Sequence, residues 1–143
     1  MREILFRGKE KGSREYVFGG IVQGVVHELW KNADRAYITV FPEFLSTVKL
    51  VEVDPATVGQ YTGLKDKNSK RIFEGDIIKI PDDYDEFGLN AGEIYEVYFI
   101  CGGFRLKPKY TKARGYWLED DETVEVIGNI HDNPELLEVK DDD

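Results

Sequence analysis

Residues 65–80 read KDKNSKRIFEGDIIKI and contain two turn signals around one short apolar step. Asn68-Ser69 and Gly75-Asp76 are residue types typical of turns, and Ile72-Phe73 lies between them. The stretch has no glycine-rich run followed by Lys and Ser or Thr, so it does not predict a loop that cradles nucleotide phosphates. It predicts a hinge at which a small β unit starts, followed by a strand at residues 77–80.

After this hinge the pattern of short strands is regular. Residues 93–100 alternate, with Tyr95, Val97 and Phe99 on one face, and Cys101-Gly102-Gly103 predicts a tight reversal. Five short strands are predicted, at residues 77–80, 93–100, 104–106, 116–118 and 123–127. Because closure removes exposed sheet edges, such strands favour a small closed barrel. Half of a sandwich is the second possibility.

The first half of the chain is also predicted to be β. Short strand-forming steps lie at residues 4–6, 16–18, 25–30, 36–41 and 47–53. The apolar positions of residues 47–53 change parity, which predicts a bulge or burial on both faces. Asp54-Pro55 and Asn133-Pro134 each place a side-chain acceptor before proline, which predicts two short helical turns. We therefore expect an all-β protein in which an N-terminal region, 1–72, packs on a C-terminal barrel, 73–143.

Composition narrows the class of protein further. The chain has 143 residues, which fits one domain or two very small ones that share a core. Its formal charge of −9 disfavours non-specific binding to nucleic acid or to an anionic membrane. Cys101 is the single cysteine, which excludes an intramolecular disulfide and a thiolate metal cluster. No apolar run is long enough to span a bilayer and no signal peptide is recognisable, so we expect a soluble cytosolic protein.

The sequence resembles the YopX family of phage and prophage proteins. The resemblance rests on residues 53–55, 57–66, 72–77 and 126–137, with further agreement at 2–9 and 16–19. It implies a mainly β protein with an SH3-like barrel in its C-terminal half, and a phage or prophage origin. It supplies no chemistry and no catalytic residues. Where such sequences commonly read Asp-Lys-Asn-Gly, this chain has Ser69 in place of the glycine, and serine adopts positive φ at a cost.

Catalysis and metal binding are not predicted. The histidines, His27 and His131, lie in different halves of the chain, and Cys101 has no neighbouring cation in sequence to lower its pKa. The acidic loop at residues 82–86 has part of the spacing of a calcium loop, but Phe87 occupies a ligand position. We therefore expect no enzyme, no cofactor and no metal site, with a loosely held divalent ion in the acidic loop as a minor alternative.

One stretch, residues 104–117, carries five cations and no acid, so the remainder of the chain carries −14. Cations interleaved with aromatic residues are typical of single-strand nucleic-acid grooves. Alternatively, the aromatic residues fill the core and the cations form a solvated or protein-binding face, or the stretch meets an acidic patch of a second copy. The candidate binding residues are Arg105, Lys107, Lys109, Tyr110, Lys112, Arg114, Tyr116 and Trp117.

The sequence favours a binding protein of the bacterial host cytoplasm. The leading hypothesis is a non-catalytic protein-interaction or assembly module that forms homo-oligomers or binds a host or phage replication or transcription protein. The second is single-stranded nucleic-acid binding through residues 104–117. The third is an acidic mimic of nucleic acid that occupies a host enzyme through residues 82–86 and the terminal aspartates. No membrane partner is expected.

Overall fold

The computed structural model describes residues 3–23, 35–40, 48–81, 92–100, 102–108, 116–117 and 124–138. These residues form eleven strands in two antiparallel sheets and two short 3₁₀ turns, which confirms the mainly β prediction. The strands are β1 (Phe6–Lys9), β2 (Tyr16–Gln23), β3 (Ala36–Val40), β4 (Lys49–Val53), β5 (Gly59–Lys65), β6 (Arg71–Phe73), β7 (Asp76–Lys79), β8 (Ile94–Ile100), β9 (Gly103–Pro108), β10 (Tyr116–Trp117) and β11 (Glu125–Asn129). The strand predicted at residues 25–30 lies outside the described residues.

The chain divides into two compact units, Met1–Tyr61 and Thr62–Asp143. This division falls inside β5, whereas the sequence predicts a boundary between residues 72 and 73. The end of β5 and all of β6 belong to the second unit because Leu64 and Ile72 pack into its core.

In the first unit, strands β1 to β4 form a closed ring. Each strand pairs with the next in an antiparallel manner, and β4 then returns to the end of β1 through a bridge between Glu10 and Val53. The Asp54 N–H donates to the Lys9 carbonyl at 2.8 Å, and the Lys11 N–H donates to the Glu52 carbonyl at 3.2 Å. The ring encloses a small apolar core formed by Ala36, Ile38 and Val53, with Phe6, Val17, Val40 and Val58 packed around them. The sequence predicts a barrel in the second half of the chain alone, whereas the structure shows this closed ring in the first unit.

Strand β4 is regular, contrary to the predicted bulge or two-sided burial. Its register with β3 runs without a shift from Lys49 to Val53. The apolar residues that change parity, Val48 and Leu50, are exposed at 47% and 50%.

The five-stranded sheet of the second unit has the strand order β10-β9-β8-β7-β11. Alternate residues of β8 enter the core, since Tyr95 and Val97 are buried as the alternation predicted. The core consists of Ile72, Ile78, Ile80, Tyr95, Val97, Leu106 and Val124, with Leu64 and Val126 packed against it. A register shift between Val126 and Gly128 shows that β11 carries an irregularity opposite β7.

Both turns predicted in residues 65–80 are present. Ser69 adopts φ +63° in the first turn, and Gly75 adopts φ +92° in the second. The Asp76 carboxylate is buried and accepts the Phe73 N–H at 2.7 Å, which fixes the tight connection between β6 and β7. The two turns therefore connect β5 to β6 and β6 to β7, and the second unit begins before this stretch, at Thr62.

The two helical turns use their caps differently. Asp54 caps the turn Pro55–Thr57 by accepting the Ala56 N–H at 3.1 Å, as predicted. Asn133 precedes the second turn, Pro134–Leu137, but its side chain makes no cap hydrogen bond there. The Asn133 Oδ1 instead accepts the Asn129 N–H at 3.3 Å, because the chain doubles back after β11.

Candidate interaction surface

The β8–β9 hairpin carries the described part of the basic stretch. Its register pairs Glu96 with Lys107 and Tyr98 with Arg105 on one face of the sheet. Arg105 and Lys107 lie two residues apart on β9, so the alternation of the strand places both on the same face. Lys107 is exposed and Arg105 is half-buried.

The end of this hairpin is apolar. Phe99 is 49% exposed and Ile100 is 37% exposed, although Tyr95 and Val97, earlier in the same strand, are buried in the core. Phe104 is half-buried, and its ring meets Phe99 edge to face with 5.1 Å between centroids. We call Phe99, Ile100 and Phe104 the hairpin-tip cluster.

A tight reversal places this cluster at the end of the hairpin. Ile100 pairs with Gly103, and Gly102 between them adopts φ +79°, which favours glycine. Since neighbouring residues of a strand point to opposite faces, Phe99 and Ile100 expose apolar surface on both sides of the tip.

An acidic side chain faces the cations on the same hairpin. Glu96 is half-buried directly opposite Lys107. Burial raises the pKa of the Glu96 carboxyl above its ordinary value of 4.5; the positive charge of Lys107 opposes this rise and the negative charge of Glu74 adds to it. The face is therefore mixed in charge rather than uniformly basic.

The other predicted binding residues are placed only in part. The backbone of Tyr116 pairs with Leu106 and that of Trp117 with Arg105, so β10 continues the sheet beside the cations. Lys109, Tyr110, Lys112 and Arg114 lie outside the described residues.

Residues considered for catalysis or metal binding add little to this surface. His131 lies in the turn after β11, where its backbone N–H donates to the Asn129 Oδ1 at 3.0 Å. His27, Cys101 and the acidic loop at residues 82–86 lie outside the described part of the chain. Within that part, no three His, Cys, Asp or Glu side chains are grouped so as to hold a metal ion. Nor does any helix there have the length and apolar character needed to cross a membrane.

Sequence reasoning missed the hairpin-tip cluster. Alternation predicts that Phe99 lies on one face with Tyr95 and Val97, but it does not predict that Phe99 is exposed while the other two are buried. A signal was present in the sequence. Tyr98-Phe99-Ile100 forms an unbroken apolar run that ends at Cys101, just before the turn glycines, and such a run departs from the pattern of a half-buried strand.

Comparisons with known proteins agree with this architecture. The chain is similar to protein EF1440 from Enterococcus faecalis, known from a crystal structure, with 22% identity, a TM-score of 0.54, and coverage of 96% of this chain and 100% of that one. At this identity the likeness extends to the fold alone. No curated protein matches the sequence. A family model described as "YopX protein" matches residues 5–138, nearly the whole length, and the chain therefore belongs to the YopX family.

Proposed function

We propose that this protein is a non-catalytic protein-interaction module that docks a partner through the hairpin-tip cluster. The exposure of Phe99 and Ile100 at the end of one hairpin carries the proposal. Aromatic side chains are enriched at the buried centres of protein interfaces, where a few of them supply most of the binding energy.

The partner's chemistry follows from the neighbours of the cluster. Arg105 adjoins Phe104 in sequence, and Lys107 follows two residues later on the same face as Arg105. A complementary surface would therefore have an apolar pocket for Ile100, which lies on the same face of the hairpin as Arg105, and carboxylates at its rim. The partner is accordingly a protein with an acidic rim around an apolar recess.

Single-stranded nucleic acid is the alternative ligand for the same stretch. Arg105 beside Tyr98 supplies one cation next to one aromatic ring, the pairing that such grooves use. Glu96 opposite Lys107 and the chain's −9 charge both oppose the approach of phosphate, so we rank this alternative second.

Membership of the YopX family leads to further proposals on the barrel type, the origin, the compartment and the oligomeric state. We infer that the second unit is an SH3-like barrel, that the protein comes from a phage or prophage, and that it acts in the bacterial cytoplasm as an oligomer. The antiparallel order β10-β9-β8-β7-β11 supports the first of these. Size-exclusion chromatography with light scattering tests the last, and a monomer mass at all concentrations would contradict it.

The docking proposal is tested by a pull-down from host lysate, with and without nuclease. The bait is compared with the double variant Phe99→Ser, Ile100→Ser. A matched control is Val48→Ser, Leu50→Ser, which removes a similarly exposed apolar pair at the start of β4.

We expect a protein partner that survives nuclease, is lost with the hairpin variant and is retained by the β4 variant. Equal loss with both variants, or equal retention, would refute docking at the hairpin tip. Recovery of nucleic acid, with all proteins lost after nuclease, would make residues 105–117 a nucleic-acid site instead.

A further inference from the structure

A second basic surface lies on the turn between β5 and β6. Four cations occur within residues 65–71, and all four are exposed: Lys65, Lys67, Lys70 and Arg71. The surrounding unit is strongly acidic, since the chain after Tyr61 has 20 acidic and 11 basic residues. We call these four residues the basic turn.

The single acid within the basic turn has its charge directed inward. Asp66 is 2% exposed. Its Oδ1 accepts the N–H groups of Asn68 and Lys70 at 2.8 and 2.9 Å, and its Oδ2 accepts the Val126 N–H at 3.0 Å. Because the carboxylate is held inside, the outer surface of the turn presents cations.

The backbone N–H groups of the turn donate hydrogen bonds within the protein, and this limits the kind of ligand that the turn can bind. Besides the two amides bound by the Asp66 carboxylate, the Asp66 N–H donates to the Lys70 carbonyl and the Ser69 N–H donates to the Asp66 carbonyl. The Lys67 N–H donates to the Val124 carbonyl at 2.9 Å. Five consecutive amides, from Asp66 to Lys70, therefore donate within the protein. A phosphate cradle is built from amides that point outward together, and this turn lacks that arrangement.

Base stacking is not supported either. The apolar residues that follow the turn, Ile72 and Phe73, are buried in the second unit. A single-strand groove needs exposed aromatic faces beside its cations. Among the residues that the structure describes in and directly after this turn, the lysine and arginine side chains are therefore the groups that can recognise a ligand.

The lysines of the basic turn differ in their ion pairs to other described residues. Lys67 forms an ion pair with Glu125 at 3.3 Å. Among the described residues, neither Lys65 nor Lys70 forms an ion pair. Lysine ammonium groups are point charges on flexible stems, which suits several separate carboxylates better than one planar group.

We propose that the basic turn is a docking surface for a carboxylate-rich segment of a protein partner. The strongly negative unit that carries the basic turn repels an extended polyanion such as a nucleic acid, whose charge continues past the turn, whereas one short acidic segment contacts only the four cations. This surface is formed by other residues than the hairpin-tip cluster, so the inference goes beyond the function proposed above.

The test uses the full chain and a fluorescein-labelled oligoglutamate peptide, followed by fluorescence anisotropy at low salt. The variant is Lys65→Gln, Lys70→Gln. Its control is Lys49→Glu, which alters the net charge by the same amount at an exposed position on β4. A DNA duplex of equal charge serves as the rival ligand.

We expect the Lys65→Gln, Lys70→Gln variant to weaken peptide binding about fivefold and Lys49→Glu to leave it within about twofold. Carbodiimide coupling of a biotinylated oligoglutamate peptide, read by mass spectrometry, is expected to mark Lys65 and Lys70 ahead of other lysines. Equal weakening in both variants, coupling centred on residues 107–112, or tighter binding of the duplex would each overturn the proposal. We expect the Phe99→Ser, Ile100→Ser variant to bind oligoglutamate as the wild type does, because the peptide binds the basic turn and not the hairpin-tip cluster. A failure of one proposal therefore leaves the other intact.

Discussion

Ser69 occupies a backbone conformation that serine adopts at a cost. Its φ of +63° lies in the left-handed region, where a residue with a Cβ is less stable than glycine by about 1–2 kcal/mol. The position tolerates serine because the surrounding amides, from Asp66 to Lys70, are all hydrogen-bonded. The turn is held by its network rather than by the preference of its residues.

We expect Ser69→Gly to raise the free energy of unfolding by about 0.5–1 kcal/mol, because relief of strain exceeds the added entropy of the unfolded chain. Urea denaturation measures the change. Asn68→Gly is the control: Asn68 has no positive φ to relieve, so glycine there is expected to destabilise by up to about 1 kcal/mol. Equal shifts at both positions would contradict the strain argument.

Glu96 gives a second prediction for a single residue. Burial raises the pKa of its carboxyl in the folded state, so the folded protein holds a proton that the unfolded chain releases. Stability is then greatest below the unfolded pKa and falls as pH rises through the window between the unfolded and folded pKa values.

Glu96→Gln removes this titration. We therefore expect the stability of the variant relative to the wild type to increase as pH rises from about 4 towards neutrality. Urea midpoints measured across this range check the trend, with Glu135→Gln at an exposed site as the control. A difference that stays constant with pH would mean that Lys107 fully compensates the burial of the carboxylate.

At the scale of elements, the closed ring of β1–β4 depends on two strands that approach very closely. A Cβ added to Gly19 on β2 would lie 1.9 Å from the Thr39 carbonyl oxygen on β3. This neighbour is backbone, so the strands themselves would have to separate.

We expect Gly19→Ala to lower the free energy of unfolding by at least about 1–3 kcal/mol, the usual range for overpacking. Gly12→Ala is the matched control, because a Cβ there meets nothing within 4 Å, and its effect is expected within about 0.5 kcal/mol. Thermal or urea unfolding of both variants is the measurement. A loss of stability for Gly19→Ala as small as that for Gly12→Ala would show that β2 and β3 accommodate the added Cβ without strain.

The burial and pairing of the strands show which features the sequence could predict and which it could not. Alternation predicted the burial of Tyr95 and Val97, because the period of a half-buried strand is local information. The exposure of Phe99 depends on where the core ends, and the ring closure at Glu10 and Val53 joins residues far apart in sequence. Local patterns carry neither kind of information. The grouping of Arg105 with Lys107 followed from spacing alone, whereas Glu96 beside them depended on strand register.

At the scale of the whole molecule, charge is divided unevenly between the two units. Up to Tyr61 the chain has 8 basic and 8 acidic residues, so the net charge of −9 resides entirely in the second unit. Like charges held within one small unit repel one another, and dissolved salt screens that repulsion.

We expect the melting temperature at neutral pH to rise by a few degrees when NaCl is raised from about 0.02 to 0.2 M, since the Debye length then shortens severalfold. Differential scanning calorimetry measures the shift. Near the isoelectric point the same change in salt is expected to have little effect, which serves as the control. A fall in melting temperature at neutral pH would mean that surface ion pairs outweigh the repulsion.

The bridge that closes the β1–β4 ring also sets an order for synthesis on the ribosome. Val53 follows Glu10 by 43 residues, so the first strand emerges long before the segment that completes its pairing. At roughly 5–20 residues per second, β1 waits about 2–9 s for β4. During that interval the nascent chain presents an open strand edge to chaperones and to neighbouring chains, and the ring is completed only after residues 52–54 have left the exit tunnel.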